Sequence, residues 1–277
     1  MKEYTEYNLK IISAGANRIE IYKSNNYSII SAKNSNNETG RRGKEEISKD
    51  KKEENKKRRR KSTLTAARNN IVRLIKSNED LSTFITLTFK KELNYKESKK
   101  CLQQLFKKLN YRYENLKYVW VLEFGSLKGR LHYHLLTNIT LPKNINFCRS
   151  SNRKNKKHKE YEKNFASSYW PYGFVDIRSL QQENNTNIAL YVSTYITKDL
   201  INKQLEGFRI YGYSSKTIKK PLIYKDYTDR EIKDIIKDFS EEFYITYSNS
   251  YEIGYTTKDG TERKGTVSYI DMTRKKS

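Results

Sequence analysis

YVWVLEFGSLKGRLHYHLLT, residues 118–137, reads as two strands and the turn between them. YVWVLEF (118–124) is an apolar, β-branched and aromatic run, the pattern of a buried strand. Gly125 to Gly129 has glycine at both ends and forms the turn, and RLHYHLLT (130–137) is the return strand. Side chains alternate along a strand, so His132 and His134 point one way and Tyr133, with Leu131 and Leu135, the other. The chain has only three histidines, and two of them stand side by side here. Two neutral imidazoles at this spacing make a metal site. Glu123 ends an otherwise apolar strand, where a carboxylate is costly without a partner. A hairpin about 125–130 sets Glu123 opposite or close to His132, and the register decides whether it shares the histidine face. If so, two His and one Glu converge on a cation and leave coordination positions open, as a catalytic metal requires. The competing reading is a surface histidine pair beside an unrelated carboxylate. His158, in a lysine-rich insertion, reads as solvated.

Outward from this hairpin the pattern is regular. FITLTF (84–89) is a strand. Cys101, Leu102, Leu105, Phe106 and Leu109 form a helical stripe. Arg149 to Lys163 is a basic insertion, residues 161–170 a helix stopped by Pro171, GFVDIR (173–178) a short strand, and residues 187–205 a helix. The order β-α-β-β-α-β from residue 84 is ferredoxin-like. The fold class expected is therefore α+β: an antiparallel sheet with helices on one face, plus small β-rich N- and C-terminal additions. Residues 1–33 alternate weakly and read as a β layer. Residues 34–61 hold no aromatic and almost no apolar residue and read as a basic flexible linker. Leu64, Ala67, Ile71, Leu74 and Ile75 recur at helical spacing over 62–78, with Ser62 or Thr63 as cap. The core is bounded at 62–210, and 211–277 reads as a β-rich appendage with one helical stretch at 229–239.

Composition bounds the partner. The chain has 277 residues, 56 basic and 32 acidic, a formal charge of +24. No apolar run approaches the ~20 residues of a membrane span, and the N-terminus lacks the apolar region of a signal peptide. Two cysteines make no disulfide framework, which points to a reducing, cytoplasmic compartment. Excess positive charge with 23 Tyr, 10 Phe and 2 Trp points to a polyanion with flat bases, a nucleic acid. AT-rich coding inflates the Lys and Tyr counts but not the surplus of Lys over Glu. The charge concentrates in stretches such as 41–61 and 149–163, so Arg58, Arg59, Arg60, Lys61, Arg130, Lys156 and Lys157 are candidate phosphate contacts.

One further block carries chemistry. In YVSTYITK (191–198), Tyr191, Tyr195 and Lys198 share one helix face, while Ala189, Val192, Ile196 and Leu200 point to another, suited to the core. Taken alone, a tyrosine stripe is more often packing than catalysis. A phenol of pKa ~10 is a poor nucleophile at neutral pH. A metal at the phosphate and a neighbouring cation such as Lys198 would both help it attack phosphorus.

Three blocks in this order, FITLTF, LEFGSLKGRLHYHLL (122–136) and YVSTYITK, resemble the motifs of HUH-type rolling-circle replication initiators. WPYGFV (170–175) and YGYSS (211–215) are similar to replication-associated proteins of low-GC bacterial plasmids and phages. The resemblance spans about 62–225. It implies a metal-dependent HUH endonuclease and DNA strand transferase that nicks and rejoins single-stranded origin DNA in a bacterial host. By similarity, His132, His134 and Glu123 hold Mg²⁺ or Mn²⁺, and Tyr195 followed by Lys198 matches the nucleophile motif. Tyr191 matches the first tyrosine of the two-tyrosine form, although Thr194 stands where Lys is common there. Attack would leave a 5′-phosphotyrosine and a free 3′-hydroxyl primer. With no GxxxxGK[ST] loop in the sequence, a host helicase and polymerase are the expected partners. The alternatives are a conjugative relaxase or single-strand transposase of the same chemistry, and a non-catalytic DNA-binding replication regulator.

Overall fold

FITLTF does form a central strand, and its neighbours follow from its alternation. In the computed structural model, residues 4–25, 29–32, 49–125, 130–147, 154–181, 185–198, 208–256 and 261–275 are described. The chain divides into two units, one of residues 48–219 and one that joins 1–47 to 220–277.

The unit 48–219 contains α1 (Lys49–Lys76), β5 (Thr83–Phe89), α2 (Tyr95–Arg112), β6 (Tyr118–Phe124), β7 (Leu131–Thr137), α3 (Lys156–Tyr169), β8 (Gly173–Ser179), α4 (Asn185–Lys198) and β9 (Tyr211–Tyr213). Its sheet has the order β8-β5-β7-β6-β9, and every pair is antiparallel. This is the β-α-β-β-α-β arrangement expected, with the fourth strand of the series beside the first. β9 lengthens it, so residues 211–213, read with the appendage, belong to the core sheet.

Alternation divides the sheet into two faces. Tyr133, Leu135, Leu87 and Trp120 lie on one, which α2 and α3 cover: the Tyr133 hydroxyl is 3.0 Å from Ser98 of α2, and Phe106 of α2 stacks on Tyr118 at 3.8 Å. Asn94 caps α2 reciprocally with Glu97, a capping box. The other face carries His132 and His134, and α4 lies against it through Tyr191 and Tyr195 on Phe84. Helices therefore cover both faces, where the ferredoxin-like reading put them on one.

α1 corrects the linker. Residues 49–61 are helical and continuous with 62–76, so Ser62 and Thr63 are interior rather than caps. Lys, Glu and Arg are strong helix formers, and Glu53/Lys57 and Glu54/Arg58 stand at i,i+4 spacing. A helix needs no apolar face where such pairs and a packed continuation support it; here the continuation buries Leu64, Ala67, Ile71, Leu74 and Ile75. Residues 33–48 of that linker lie outside the described residues, as do 199–205 of the expected last helix.

The edge strand β8 is closed by side chains of α3. Glu162 accepts from the Ile177 N–H at 2.7 Å, and His158 Nε2 lies 2.9 Å from the Ile177 carbonyl. His158 is thus buried and structural, not solvated. An exposed strand edge is a pairing hazard, and this pair blunts it.

The second unit joins both ends of the chain. β2 (Leu9–Ser13), β3 (Arg18–Asn25), β10 (Leu222–Asp226), β11 (Phe243–Thr256) and β12 (Glu262–Arg274) form one antiparallel sheet, order β10-β2-β3-β12-β11. β1 (Tyr4–Tyr7) and β4 (Ile29–Ala32) pair separately. α5 (Ile232–Lys237) packs Ile235 on Leu9, Ile21, Ile270 and Met272. The sequence suggested two separate β-rich additions, and they share this one sheet.

Candidate active site

The hairpin β6–β7 sets Glu123 directly opposite His132 and Val121 opposite His134. Opposed residues of an antiparallel pair share a face, so Glu123, His132 and His134 lie together. β5 adds Thr88 opposite His132 and Thr86 opposite His134. The Thr88 hydroxyl is 3.0 Å from His132 Nδ1, and that of Thr86 is 3.2 Å from His134 Nδ1. Both rings are therefore held from behind, with Nε2 directed away from β5. A hydroxyl donates or accepts equally well, so each threonine holds its ring in either tautomer.

His134 Nε2 lies 2.6 Å from a Glu123 carboxylate oxygen. A carboxylate only accepts, so the imidazole donates. His132 Nε2 instead stands over Gly125, where a Cβ would lie 2.5 Å from it. Burial, then His134, holds the His132 pKa below the ordinary histidine value; Glu123 opposes this and Arg130 adds to it. As they stand, no three His, Cys, Asp or Glu side chains among the described residues are gathered to hold a metal. The donor set nevertheless fits a divalent cation in its chemistry: two imidazole nitrogens and a carboxylate on one face, each imidazole with a hydrogen-bond partner behind it.

α4 supplies the phenols. Tyr195 stacks on His134, ring centroids 3.8 Å apart and 21° from parallel. Its hydroxyl donates to the Tyr191 hydroxyl at 2.6 Å, and the two rings meet edge-on at 5.4 Å. Tyr195 is only 8% exposed. The sequence reading turned the phenols away from the packing surface; they pack on the sheet, while Ala189 and Val192 of the same helix are also buried. The side chain of Lys198 lies outside the described residues.

Of the candidate phosphate contacts, Lys61, Lys156 and Lys157 are exposed. Arg58, Arg59 and Arg60 lie on α1, and their side chains are outside the described residues. Arg130 precedes β7 in phase with His132 and His134, and its buried Nε has no hydrogen-bond partner among the described residues. Sequence reasoning missed Thr86, Thr88, Asp176 and Arg178. The threonines had a readable signal, an i,i+2 pair on a neighbouring strand that matches the histidine pair.

Charge follows the units. Residues 48–219 hold 37 basic and 15 acidic residues, a net of +22, and the other unit holds 19 and 17, a net of +2. No described helix is long and apolar enough to cross a membrane. No curated protein and no solved structure matches the chain. Residues 82–200, the stretch that carries β5, the histidine hairpin and α4, match the family described as replication-associated protein of the ORF2 type, consistent with a rolling-circle replication initiator.

Proposed function

We propose that this protein nicks and rejoins single-stranded DNA at a replication origin, with Tyr195 as nucleophile and Tyr191 as its partner. The observation that carries this reading is the stacking of Tyr195 on His134, whose Nε2 is bonded to Glu123. A nucleophile candidate thus touches the candidate metal-holding pair, and the family match adds replication and DNA as context.

In the proposed step the Tyr195 oxygen attacks phosphorus. The bond to the leaving 3′-oxygen breaks, and the DNA is left as a 5′-phosphotyrosine with a free 3′-hydroxyl. Tyr191 accepts the hydrogen bond of the Tyr195 hydroxyl and so orients the attacking oxygen and receives its proton. The 3′-oxygen takes up a proton as it leaves. His132, His134 and Glu123 would hold Mg²⁺ or Mn²⁺, which supplies Lewis-acid polarisation of a non-bridging phosphate oxygen. Arg130, with its unbonded Nε, fits a neighbouring phosphate. Unwinding and synthesis are assigned to a host helicase and polymerase.

The test is a random pool of single-stranded 60-mers with Mn²⁺ or Mg²⁺, resolved on a denaturing gel. A covalent adduct lost in Tyr195→Phe supports the reading. An adduct lost only in Tyr191→Phe reassigns the nucleophile. Binding with no adduct under either metal overturns the enzyme and leaves a DNA-binding replication regulator.

A further inference from the structure

The sheet face that holds the histidines carries a second built feature at its far edge. Asp176 and Arg178 of β8 lie opposite Thr86 and Phe84 of β5. Thr86 is also opposite His134, so Asp176 and His134 flank it, about 10 Å apart across two strand spacings. Phe84 meets the Tyr191 ring edge-on at 5.3 Å. Arg178 is therefore beside the ring against which Tyr191 packs.

Arg178 is held from one side. Its Nε donates to Asp176 at 2.8 Å, and neither terminal nitrogen is bonded among the described residues. Asp176 is itself held by Lys154, whose ammonium also donates to both oxygens of Glu162 at 2.7 and 2.9 Å. Glu162 is buried and tied to the β8 backbone. The run Glu162–Lys154–Asp176–Arg178 leads from the α3 layer round the strand edge to the tyrosine face. Its last member is 40% exposed. A guanidinium fixed through Nε presents its two outer N–H groups as a fork, the shape that matches a phosphate.

We propose that Arg178 is a phosphate-binding residue for single-stranded DNA beside Tyr191, with Asp176 and Lys154 as positioning residues that aim its fork. This rests on the reading of the tyrosine face as the DNA face, but not on any covalent step. The pull of the Tyr191 phenol on the Arg178 charge agrees with their proximity.

The experiment needs neither metal nor a known origin. A labelled dT20 oligonucleotide is titrated against the full chain by fluorescence anisotropy over a range of salt. Arg178→Gln weakens binding about ten- to a hundredfold, the worth of a charge-assisted bond. It also lowers the salt slope by about 0.7, one phosphate contact on a single strand. Arg178→Lys keeps the slope and recovers part of the affinity. Asp176→Asn is the sharper variant. It makes the protein more positive, so charge counting alone demands tighter binding, whereas loss of aim weakens it. An unchanged affinity and slope in Arg178→Gln would overturn the phosphate contact, and tighter binding by Asp176→Asn would overturn the positioning role. Both results stand apart from the adduct assay, so failure of the nicking chemistry and failure of this contact are told apart.

Discussion

Gly125 offers a measurement that separates site geometry from fold stability. The backbone there is not left-handed, so alanine is allowed by φ, but the space is taken. A Cβ would stand 2.5 Å from His132 Nε2, 2.9 Å from its Cδ2 and 3.2 Å from the Arg130 carbonyl oxygen. Ordinary non-bonded contacts lie near ~3.5–4.0 Å, so the imidazole must retreat by roughly 1 Å. That stretches its 3.0 Å contact to Thr88 to about 4 Å, past hydrogen-bond range. One lost hydrogen bond costs about 0.5–1.5 kcal/mol, a melting shift of only about 2–4 °C in a unit of this size. A ~1 Å misplacement at a reacting centre costs on the order of a hundredfold in rate. Gly125→Ala is therefore expected to melt within a few degrees of the parent and to form the DNA adduct about a hundred times more slowly with Mn²⁺. Calorimetry and a timed denaturing gel on the same preparation give both numbers. An adduct rate within twofold of the parent would show that the approach of His132 to Gly125 constrains nothing. A large fall in melting temperature would put the effect on the fold instead.

Three further outcomes concern the scaffold. Gly173 opens β8 where a Cβ would meet the β5 backbone, 2.7 Å from the Lys90 nitrogen; Gly173→Ala should cost more than about 2 kcal/mol in urea unfolding, and a neutral result would refute the close strand approach. Glu162→Ala strips Lys154 and the Ile177 N–H of a partner at once and should cost about 3 kcal/mol, while an equal loss in Glu162→Gln would assign the effect to charge rather than to the strand edge. Lys99 lies over the Trp120 ring at 3.8 Å, and burial, then Arg209, lowers its pKa to about 8. Between pH 8 and 10.5 the unfolded chain then binds more protons at this site, so stability rises with pH across that window. Lys99→Met should flatten the rise below pH 10, and an NMR midpoint of the labelled ammonium near 10.5 would contradict the shift.

How far the sequence could be read depended on the range of the signal. FITLTF, the apolar run 118–124 and the HxH alternation are local, and each forms the element expected at nearly the expected residues. Glu123 shares the histidine face because the short 125–130 connection leaves little freedom of register. Gly125 was readable only as a turn glycine, since its contact with His132 is a matter of close approach. What failed was long-range or context-dependent. The pairing of β3 with β12 joins residues almost 250 positions apart and leaves no local trace. The first half of α1 looks like solvated linker because its composition is polar throughout. His158 sits among lysines in sequence, yet at i,i+4 from Glu162 it turns inward to the edge of β8. Asp176 and Arg178 looked like ordinary members of a short amphipathic strand, because nothing local told that the polar side of GFVDIR would face the tyrosines.

The distribution of charge bears on which surface meets DNA. A net +24 over the whole chain would suit diffuse polyanion affinity, but +22 of it belongs to residues 48–219 and +2 to the remainder. The β11–β12 unit exposes Tyr244, Tyr247 and Tyr251, side chains able to stack on bases, yet it lacks the surplus of cations that a phosphate backbone requires. In the unit 48–219 the two requirements coincide. Arg130 and Arg178 stand in phase with the histidines on the face where Tyr191 and Tyr195 pack. Alternation puts them there: period two on β7 aligns Arg130, His132 and His134, and period two on β8 aligns Asp176 and Arg178. The antiparallel registers through β5 then bring both rows to one side. One pleated surface thus gathers cations, imidazoles and phenols, while the apolar side of the same strands builds the core that holds them rigid.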